Sequence, residues 1–167
     1  TVTLEGGTLS GNQYGLFIHN YVSWSSWGAA QDSKVILSGV SIEDSVVAGV
    51  RVTDDPVNGT QPARVALQDG TTISGGAAGV LAEGNRAHVE FPASLTPPSF
   101  SGLAGDYVTL SGCSNDADAT AAEFDGKPGS AMTPAELFAV EDKIHHALDD
   151  SALGLVRVKA ASVYVTP

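Results

Sequence analysis

The chain has 167 residues, and its 8 Lys and Arg against 19 Asp and Glu give a formal net charge of −11 at pH 7. This acidity argues against binding along the phosphates of nucleic acids or on anionic lipid, and no apolar run approaches the roughly 20 residues of a membrane span. Hydrophobic residues make up 43% of the chain and charged residues only 16%, so we expect one folded domain with its own core. We therefore expect neither a nucleic-acid partner nor membrane insertion.

Short strand-like segments recur in three columns along the first 112 residues. The first column comprises residues 2–4, 35–37, 65–67 and 89–91, each alternating around one central position. The second comprises residues 8–11, 41–44 and 72–75, each with one large aliphatic side chain between small polar residues. The third comprises residues 15–20, 49–54 and 79–84, each beginning at a glycine.

Three short strands per turn, with Gly, Asn and Asp at the corners, predict a mostly β fold that is a right-handed parallel β-helix, a solenoid of about four coils over residues 1–112. The fourth coil is looser, with Pro92, Pro97 and Pro98 in its connection. We expect the column glycines to lie where the backbone turns sharply between sheets, namely Gly15, Gly49 and Gly79. The alternative is a β-sandwich of short strands, for which regularly spaced hairpin signals would be expected.

Residues 113–132 follow as an acidic linker, and residues 133–167 are predicted to form a helix and short terminal strands. The helix begins at a capping box, with Thr133 as N-cap, Pro134 in the first turn and Glu136 three residues after the cap. An apolar stripe of the amphipathic helix then runs through the following positions: Leu137, Val140, Ile144 and Leu148. Strands are predicted within residues 153–159 and 163–165. Because a β-helix exposes unpaired strands and an apolar cross-section at each end, we expect the helix to cap the last coil or to bridge to a further block.

These columns resemble the parallel β-helix repeats of large exported bacterial proteins, a class that includes autotransporter passengers, adhesins and polysaccharide lyases. Residues 137–144, 153–160 and 163–167 also resemble a linker that recurs between β-helix blocks of very long bacterial surface proteins. The resemblance implies an extracellular or cell-surface location as part of a longer chain. We read the start at Thr1, directly in a strand-like run, in the same way. The class has no shared catalytic residues to transfer to this sequence.

Calcium is the candidate ion, through an irregular oxygen site built from carboxylates of the acidic segment. The candidate ligands are Asp116, Asp118, Glu123 and Asp125. An EF-hand loop is excluded because Ala121 and Lys127 stand where the turn glycine and the bidentate glutamate belong. The alternative is a solvated linker without an ion. The neighbouring Cys113 has no partner for an internal disulfide and is predicted to be a buried, inert thiol.

The predicted helix carries two carboxylate and imidazole pairs four residues apart, Glu141 with His145 and Asp142 with His146. This spacing can place two ligands for a transition metal on one helical face, but a third ligand is missing. Solvated pairs on the polar face are the alternative.

Two loops carry candidate ligand-binding residues. Trp24 and Trp27, the two tryptophans of the chain, lie between the first and second coils and suit stacking on sugar rings or insertion into a partner's pocket. Asp54 and Asp55 form the acidic rung of a polar ladder at the exit of the third column, where corner-turning chemistry is the alternative. Asn58 begins a glycosylation sequon.

Two functions follow as hypotheses. The first is a non-catalytic structural or adhesive β-helix segment of a large secreted or cell-surface bacterial protein, assembling with itself end to end or laterally into fibres or an extracellular matrix. The second is a carbohydrate-binding or polysaccharide-cleaving module that uses Trp24 and Trp27 with Asp54 and Asp55 against surface glycans.

Overall fold

The computed structural model describes residues 1–20, 33–54 and 61–160, which form a mostly β, parallel β-solenoid with one short C-terminal helix. The strands of its coils are, in chain order, β1 (Val2–Glu5), β2 (Thr8–Ser10), β3 (Tyr14–His19), β4 (Ser33–Ser38), β5 (Ser41–Glu43), β6 (Ala48–Thr53), β7 (Ala63–Gln68), β8 (Thr72–Ser74), β9 (Val80–Glu83), β10 (Ala87–Glu90), β11 (Ser99–Ser101) and β12 (Val108–Ser111). The three sequence columns are thus three sheets.

Each strand pairs in parallel with its equivalent one coil further on. Sheet A is β1-β4-β7-β10, sheet B runs through β2, β5, β8 and β11, and sheet C runs through β3, β6, β9 and β12. Parallel pairing between equivalents requires a crossover between partners, and this excludes the hairpin-based β-sandwich. The parallel solenoid predicted from the three columns is confirmed.

The number of coils is about three, one fewer than predicted. Three full turns separate β1 from β10, and the strands of the fourth coil have only three or four residues. Sheet A ends at β10 because the chain leaves β12 for the C-terminal region without adding a further strand there.

The core is a ladder of apolar side chains that point inward from successive coils. On sheet B, Leu9 is the register partner of Ile42, and Ile42 that of Ile73; Phe100 and Phe124 continue the ladder. All but Leu9 are almost fully buried. One large side chain in the middle of each three-residue strand therefore fills the interior, as period-two alternation predicts.

The column glycines have a different role from the one predicted. Gly15, Gly49 and Gly79 have no positive φ, so they do not mark left-handed turns. A Cβ atom at Gly49 would lie 3.0 Å from the carbonyl oxygen of Gly79, and one at Gly79 would lie 2.3 Å from that of Tyr107. These glycines allow the backbones of neighbouring coils to approach closely.

Residues 113–132 are packed, although their composition is that of an acidic linker. They contain β13 (Ala117–Asp118), β14 (Glu123–Phe124), β15 (Lys127–Pro128) and a 3-10 turn at Gly129–Ala131. β14 adds to sheet B beside β11, and the β14–β15 pair is antiparallel. The small residues face inward and are buried, namely Ala117, Ala119 and Ala122. The acidic residues between them face outward, which is why average composition hides the packing.

The helix α1 (Pro134–Glu141) begins as predicted but ends early. Thr133 and Glu136 form the expected capping box, with Pro134 in the first turn. The predicted continuation through Ile144 and Leu148 is wrong, because β16 (Ile144–His145) pairs with β12 and extends sheet C. Within α1 only Val140 is fully buried, so the apolar stripe is shorter than predicted. Strand pairing with the solenoid has overridden the helical periodicity.

The last element described is β17 (Val156–Arg157), which pairs in parallel with β13. It is a short part of the strand predicted within residues 153–159, and the strand predicted at 163–165 lies outside the described residues. Val140, Phe124 and Tyr107 belong to one buried cluster with the coil residues. The C-terminal region therefore covers the last coil. No helix of the described part of the chain is both long and apolar enough to cross a membrane.

Candidate functional site

The polar ladder predicted at the end of the sheet C strands is present, and its hydrogen bonds stabilise the corner where the chain leaves this sheet. Asn20 donates from Nδ2 to Oδ1 of Asp54 at 2.6 Å and to the carbonyl oxygen of Gln61 at 2.8 Å. Arg86 contacts Asp54 from one coil further on, through its backbone N–H at 3.2 Å and its Nη1 at 3.4 Å. The Asp54 side chain is only 4% exposed, so its carboxylate is directed into the turns that join the coils.

A second amide extends this corner towards the C-terminal end. Asn115 donates from Nδ2 to the carbonyl oxygens of Asn85 at 2.7 Å and Ala87 at 3.0 Å. Gly84 leaves room here, since a Cβ atom at that position would lie 2.7 Å from the Cβ of Asp54. The corner is therefore a stack of side-chain to backbone hydrogen bonds that holds coils in register.

The loop candidates lie outside the described residues. Trp24, Trp27, Asp55 and Asn58 fall in residues 21–32 and 55–60. Their proposed roles in ligand binding and glycosylation stay predictions.

The four carboxylates predicted to hold calcium are not brought together. Asp116 accepts from the backbone N–H of Leu155 at 2.7 Å, and Asp118 accepts from the hydroxyl of Thr120 at 2.7 Å. The hydroxyl of Thr120 is the main cause of a lowered pKa at Asp118. These two aspartates line a hollow of about 160 Å³ together with Arg157.

The other two carboxylates lie elsewhere, and calcium binding stays a prediction. Glu123 lies on β14, and Asp125 accepts from the backbone N–H of Gly102 at 3.1 Å. Among residues 1–20, 33–54 and 61–160, no three His, Cys, Asp or Glu side chains group as a metal site would need.

The carboxylate and imidazole pairs differ from those predicted, because α1 ends at Glu141. Nε2 of His146 lies 3.3 Å from Oε2 of Glu141, and Nδ1 of His145 lies 3.6 Å from Oδ2 of Asp149. The His146 side chain is 1% exposed, whereas that of His145 is 46% exposed. One pair is therefore part of the packed interior and the other is a surface pair.

A cleft of about 300 Å³ lies between α1 and the last coil. Its apolar lining comes from Phe124, Met132 and Val140, and its charged rim includes Lys127 and Lys143. It lies within the size range of small-molecule sites. Sequence reasoning missed this cleft because it forms only when α1 folds back over the coil.

The polar side chains that line the cleft are hydrogen-bonded to other parts of the protein. The hydroxyl of Tyr107 donates to Oδ2 of Asp125 at 2.5 Å. Burial strongly raises the pKa of the Tyr107 phenol, and the hydrogen bond to Asp125 raises it further. Lys143 donates to the carbonyl oxygen of Leu103 at 2.8 Å while its ammonium lies 4.4 Å from the centre of the Tyr107 ring. Lys127 bonds to Glu136. These contacts fasten the helix to the solenoid.

Among the described strands, none pairs with the outer edge of the N-terminal coil. The strands β1, β2 and β3 stand at the ends of their sheets, so each has a partner on one side only among the described strands. The inward-pointing Leu4, Leu9 and Leu16 of this coil are half-buried, unlike their equivalents in the next coils. The two ends of the described structure therefore differ.

Comparisons with known proteins identify no relative of the chain: no protein-family model, no curated protein and no solved structure matches it.

Proposed function

We propose that the chain is a non-catalytic structural and adhesive segment of a large secreted or cell-surface bacterial protein, and that the isolated 167-residue chain associates with a second copy through its N-terminal coil. The observation that supports this is the contrast between the two ends of the solenoid. One end is covered by α1 and its neighbouring strands, and the other presents half-buried leucines and unpaired strand edges.

The N-terminal coil also lacks the features that keep strand edges apart. Proteins protect edge strands with charged side chains, proline or a covering element. Residues 1–20 contain no proline, lysine or arginine, and Glu5 is their one acidic residue. In a chain with a net charge of −11, this end therefore carries little of the charge that keeps two copies apart.

Stacking would satisfy two requirements at once. The backbone N–H and C=O groups along β1, β2 and β3 would gain partners, and Leu4, Leu9 and Leu16 would be removed from water. Contact between identical ends is isologous and closes at two copies. Since α1 covers the opposite end of the described structure, we expect the isolated 167-residue chain to form dimers rather than filaments.

Light scattering after size exclusion, over a range of protein concentrations, tests the proposal. We expect a concentration-dependent dimer that is favoured by salt, because salt screens the repulsion between two acidic chains. Leu9→Asp places a charge at the centre of the stacking surface and should give a monomer. Phe138→Asp, a matched substitution at an exposed apolar residue of α1, should leave the dimer intact.

The same measurement with calcium and then with a chelator tests the predicted ion. Circular dichroism checks that both variants keep the β-solenoid. A parent chain that is monomeric at every concentration, or a Leu9→Asp chain that dimerises like the parent, would contradict stacking through the N-terminal coil.

A further inference from the structure

An aromatic row lies on the outer surface of β3, at the N-terminal edge of sheet C. The ring centres of Tyr14 and Phe17 are 6.0 Å apart with planes inclined by 28°, and those of Phe17 and His19 are 6.0 Å apart with planes inclined by 27°. Phe17 is 53% exposed. Three rings of similar orientation thus form a platform along one strand.

Arg51, on the neighbouring strand β6, joins this row. It is the register partner of Phe17, and its guanidinium carbon lies 5.2 Å from the Tyr14 ring centre and 5.1 Å from the Phe17 ring centre. Both distances are those of cation–π contacts. The guanidinium therefore extends the platform from β3 to β6.

Glu83, on β9, fixes the orientation of Arg51. Nε of Arg51 donates to Oε2 of Glu83 at 2.6 Å, and Nη1 donates to the hydroxyl of Tyr14 at 3.3 Å. These bonds use two of the five guanidinium N–H groups. Both side chains remain about 30% exposed, so the other donors and the carboxylate border the platform at its polar edge.

We propose that this platform, formed by Tyr14, Phe17, His19, Arg51 and Glu83, binds a neutral oligosaccharide. A pyranose ring presents C–H groups on its faces and hydroxyl groups around its rim. Aromatic faces match the first, and guanidinium N–H donors and carboxylate acceptors match the second. A flat sheet face lets several sugar units lie along the rings.

The charges favour a neutral ligand over an acidic one. Arg51 is already paired with Glu83, so the platform offers no free positive charge to a uronate or sulfate group. The net charge of −11 adds a long-range repulsion against polyanionic glycans. The inference supplies a ligand class for the adhesive role proposed above, and it does not depend on stacking of the N-terminal coil.

Affinity electrophoresis through native gels tests the proposal with the whole chain, which migrates readily because it is acidic. The gels contain a mixed-linkage β-glucan, a xyloglucan, a galactomannan or a dextran, with polygalacturonate as the anionic comparison. We expect at least one neutral polysaccharide to retard the parent chain. Phe17→Ala should weaken that binding about tenfold or more, and Arg51→Met should weaken it less, because the methylene stem of the side chain is kept.

Three control variants test whether binding takes place on this platform. Phe138→Ala removes a phenylalanine of α1 that is 70% exposed and should leave retardation unchanged. Trp24→Ala with Trp27→Ala should also leave it unchanged, and Leu9→Asp should keep glycan binding even as it abolishes the dimer.

The proposal is overturned by any of three results: no retardation by the neutral polysaccharides, retardation by polygalacturonate alone, or equal retardation of the Phe17→Ala and parent chains. Loss of binding in the tryptophan variant with full binding in Phe17→Ala would place the glycan site on the loop instead. Failure of stacking appears only in light scattering, so the two proposals fail separately.

Discussion

The hydroxyl of Tyr107 donates a hydrogen bond of 2.5 Å to Oδ2 of Asp125, joining the residue before β12 to the tight turn between β14 and β15. The Tyr107 ring is almost fully buried and packs edge-on against Phe124, with ring centres 5.2 Å apart. Its backbone N–H also donates to the carbonyl oxygen of Lys143 at 2.7 Å. Tyr107 therefore links the last coil to the turn between β14 and β15 and to the segment that follows α1.

Tyr107→Phe is expected to lower the free energy of unfolding by about 1.5 kcal/mol, because it removes a hydrogen bond to a carboxylate and keeps the ring. Asp125→Asn should cost less, since the amide oxygen can still accept from the backbone N–H of Gly102 while the amide N–H donates to the phenol oxygen, and asparagine tolerates the positive φ of 47° at this position. Urea denaturation at pH 7 measures both. Equal stability of Tyr107→Phe and the parent would contradict a role for this bond.

The same tyrosine gives a dependence on alkaline pH. Burial first, and then the bond to Asp125, raises the pKa of its phenol well above the ordinary value of about 10. A raised pKa stabilises the fold fully below the unfolded-state pKa, and this contribution is lost as the pH rises above about 10. Stability should therefore fall above pH 10, and the fall should be smaller in Tyr107→Phe.

Glu141, the last residue of α1, contacts His146 in the interior beside the helix. Nδ1 of His146 accepts from the backbone N–H of Val156 at 3.0 Å, so in the neutral ring Nε2 carries the proton and faces Oε2 of Glu141 at 3.3 Å. The Glu141 side chain is 10% exposed, and neither of its oxygens has a hydrogen bond of good geometry within the described residues. A buried carboxylate in this setting is costly to the fold.

Glu141→Gln is therefore expected to keep or raise the free energy of unfolding, because the amide removes a buried charge and still contacts the imidazole. His146→Leu should lower it by about 1–3 kcal/mol, since it leaves the Val156 N–H without its acceptor. Chemical denaturation at pH 7 compares the two. A loss above about 1 kcal/mol in Glu141→Gln would contradict the argument from buried charge.

The solenoid was predictable from sequence because its repeating unit is local. Ile42 and Ile73 sit in the same place within their own coils, so aligning the columns also aligns the sheets. The C-terminal region has no such repeat. The periodicity of Leu137, Val140 and Ile144 fits a helix, and only pairing with Val108 shows that Ile144 belongs to sheet C.

The candidate sites also differ in whether the sequence predicts them. The contact between Asn20 and Asp54 follows from the column alignment. The cleft beside Tyr107 and the ring row of Phe17 with Arg51 depend on contacts between elements, which residue types alone do not indicate. Alternation along β3 does place Phe17 on the outer face, and this is the signal that could have found the row.

Cys113 is expected to be unreactive in the native chain. Its thiol donates to the carbonyl oxygen of Ala87 at 3.1 Å, and burial raises the pKa of the thiol despite a smaller opposing effect of Asn115. Little thiolate therefore forms at pH 8, and the thiolate is the reactive species. A colorimetric thiol reagent should modify the chain only after addition of denaturant, and rapid modification of the folded chain would contradict this expectation.

The stabilisation that the capping box of α1 gives the fold should be lost in a window of acidic pH. The ammonium of Lys127, with the backbone N–H and hydroxyl of Thr133, lowers the pKa of Glu136 to about 2. A lowered pKa contributes stability above the unfolded-state value of about 4.3, and the contribution is lost as the pH falls towards 2. The melting temperatures of the parent and Glu136→Gln should differ most above pH 5 and converge near pH 2.

Gly79 and Gly11 illustrate two different requirements for glycine in this fold, close approach between coils and a positive φ. A Cβ atom at Gly79 would lie 2.3 Å from the carbonyl oxygen of Tyr107, a backbone atom held in sheet C, whereas one at Gly11 would meet nothing within 4 Å. Gly11 has a φ of +65° and Gly79 has no positive φ. Alanine at Gly79 must therefore push two coils apart, and alanine at Gly11 adds only backbone strain.

We expect Gly79→Ala to lower the free energy of unfolding by about 3 kcal/mol or more, as overpacking against backbone does. Gly11→Ala should lower it by about 1 kcal/mol, the cost of a left-handed conformation for an L-residue. Urea denaturation of both variants measures the difference. If Gly79→Ala cost no more than Gly11→Ala, close approach between the coils would not account for the glycine at this position.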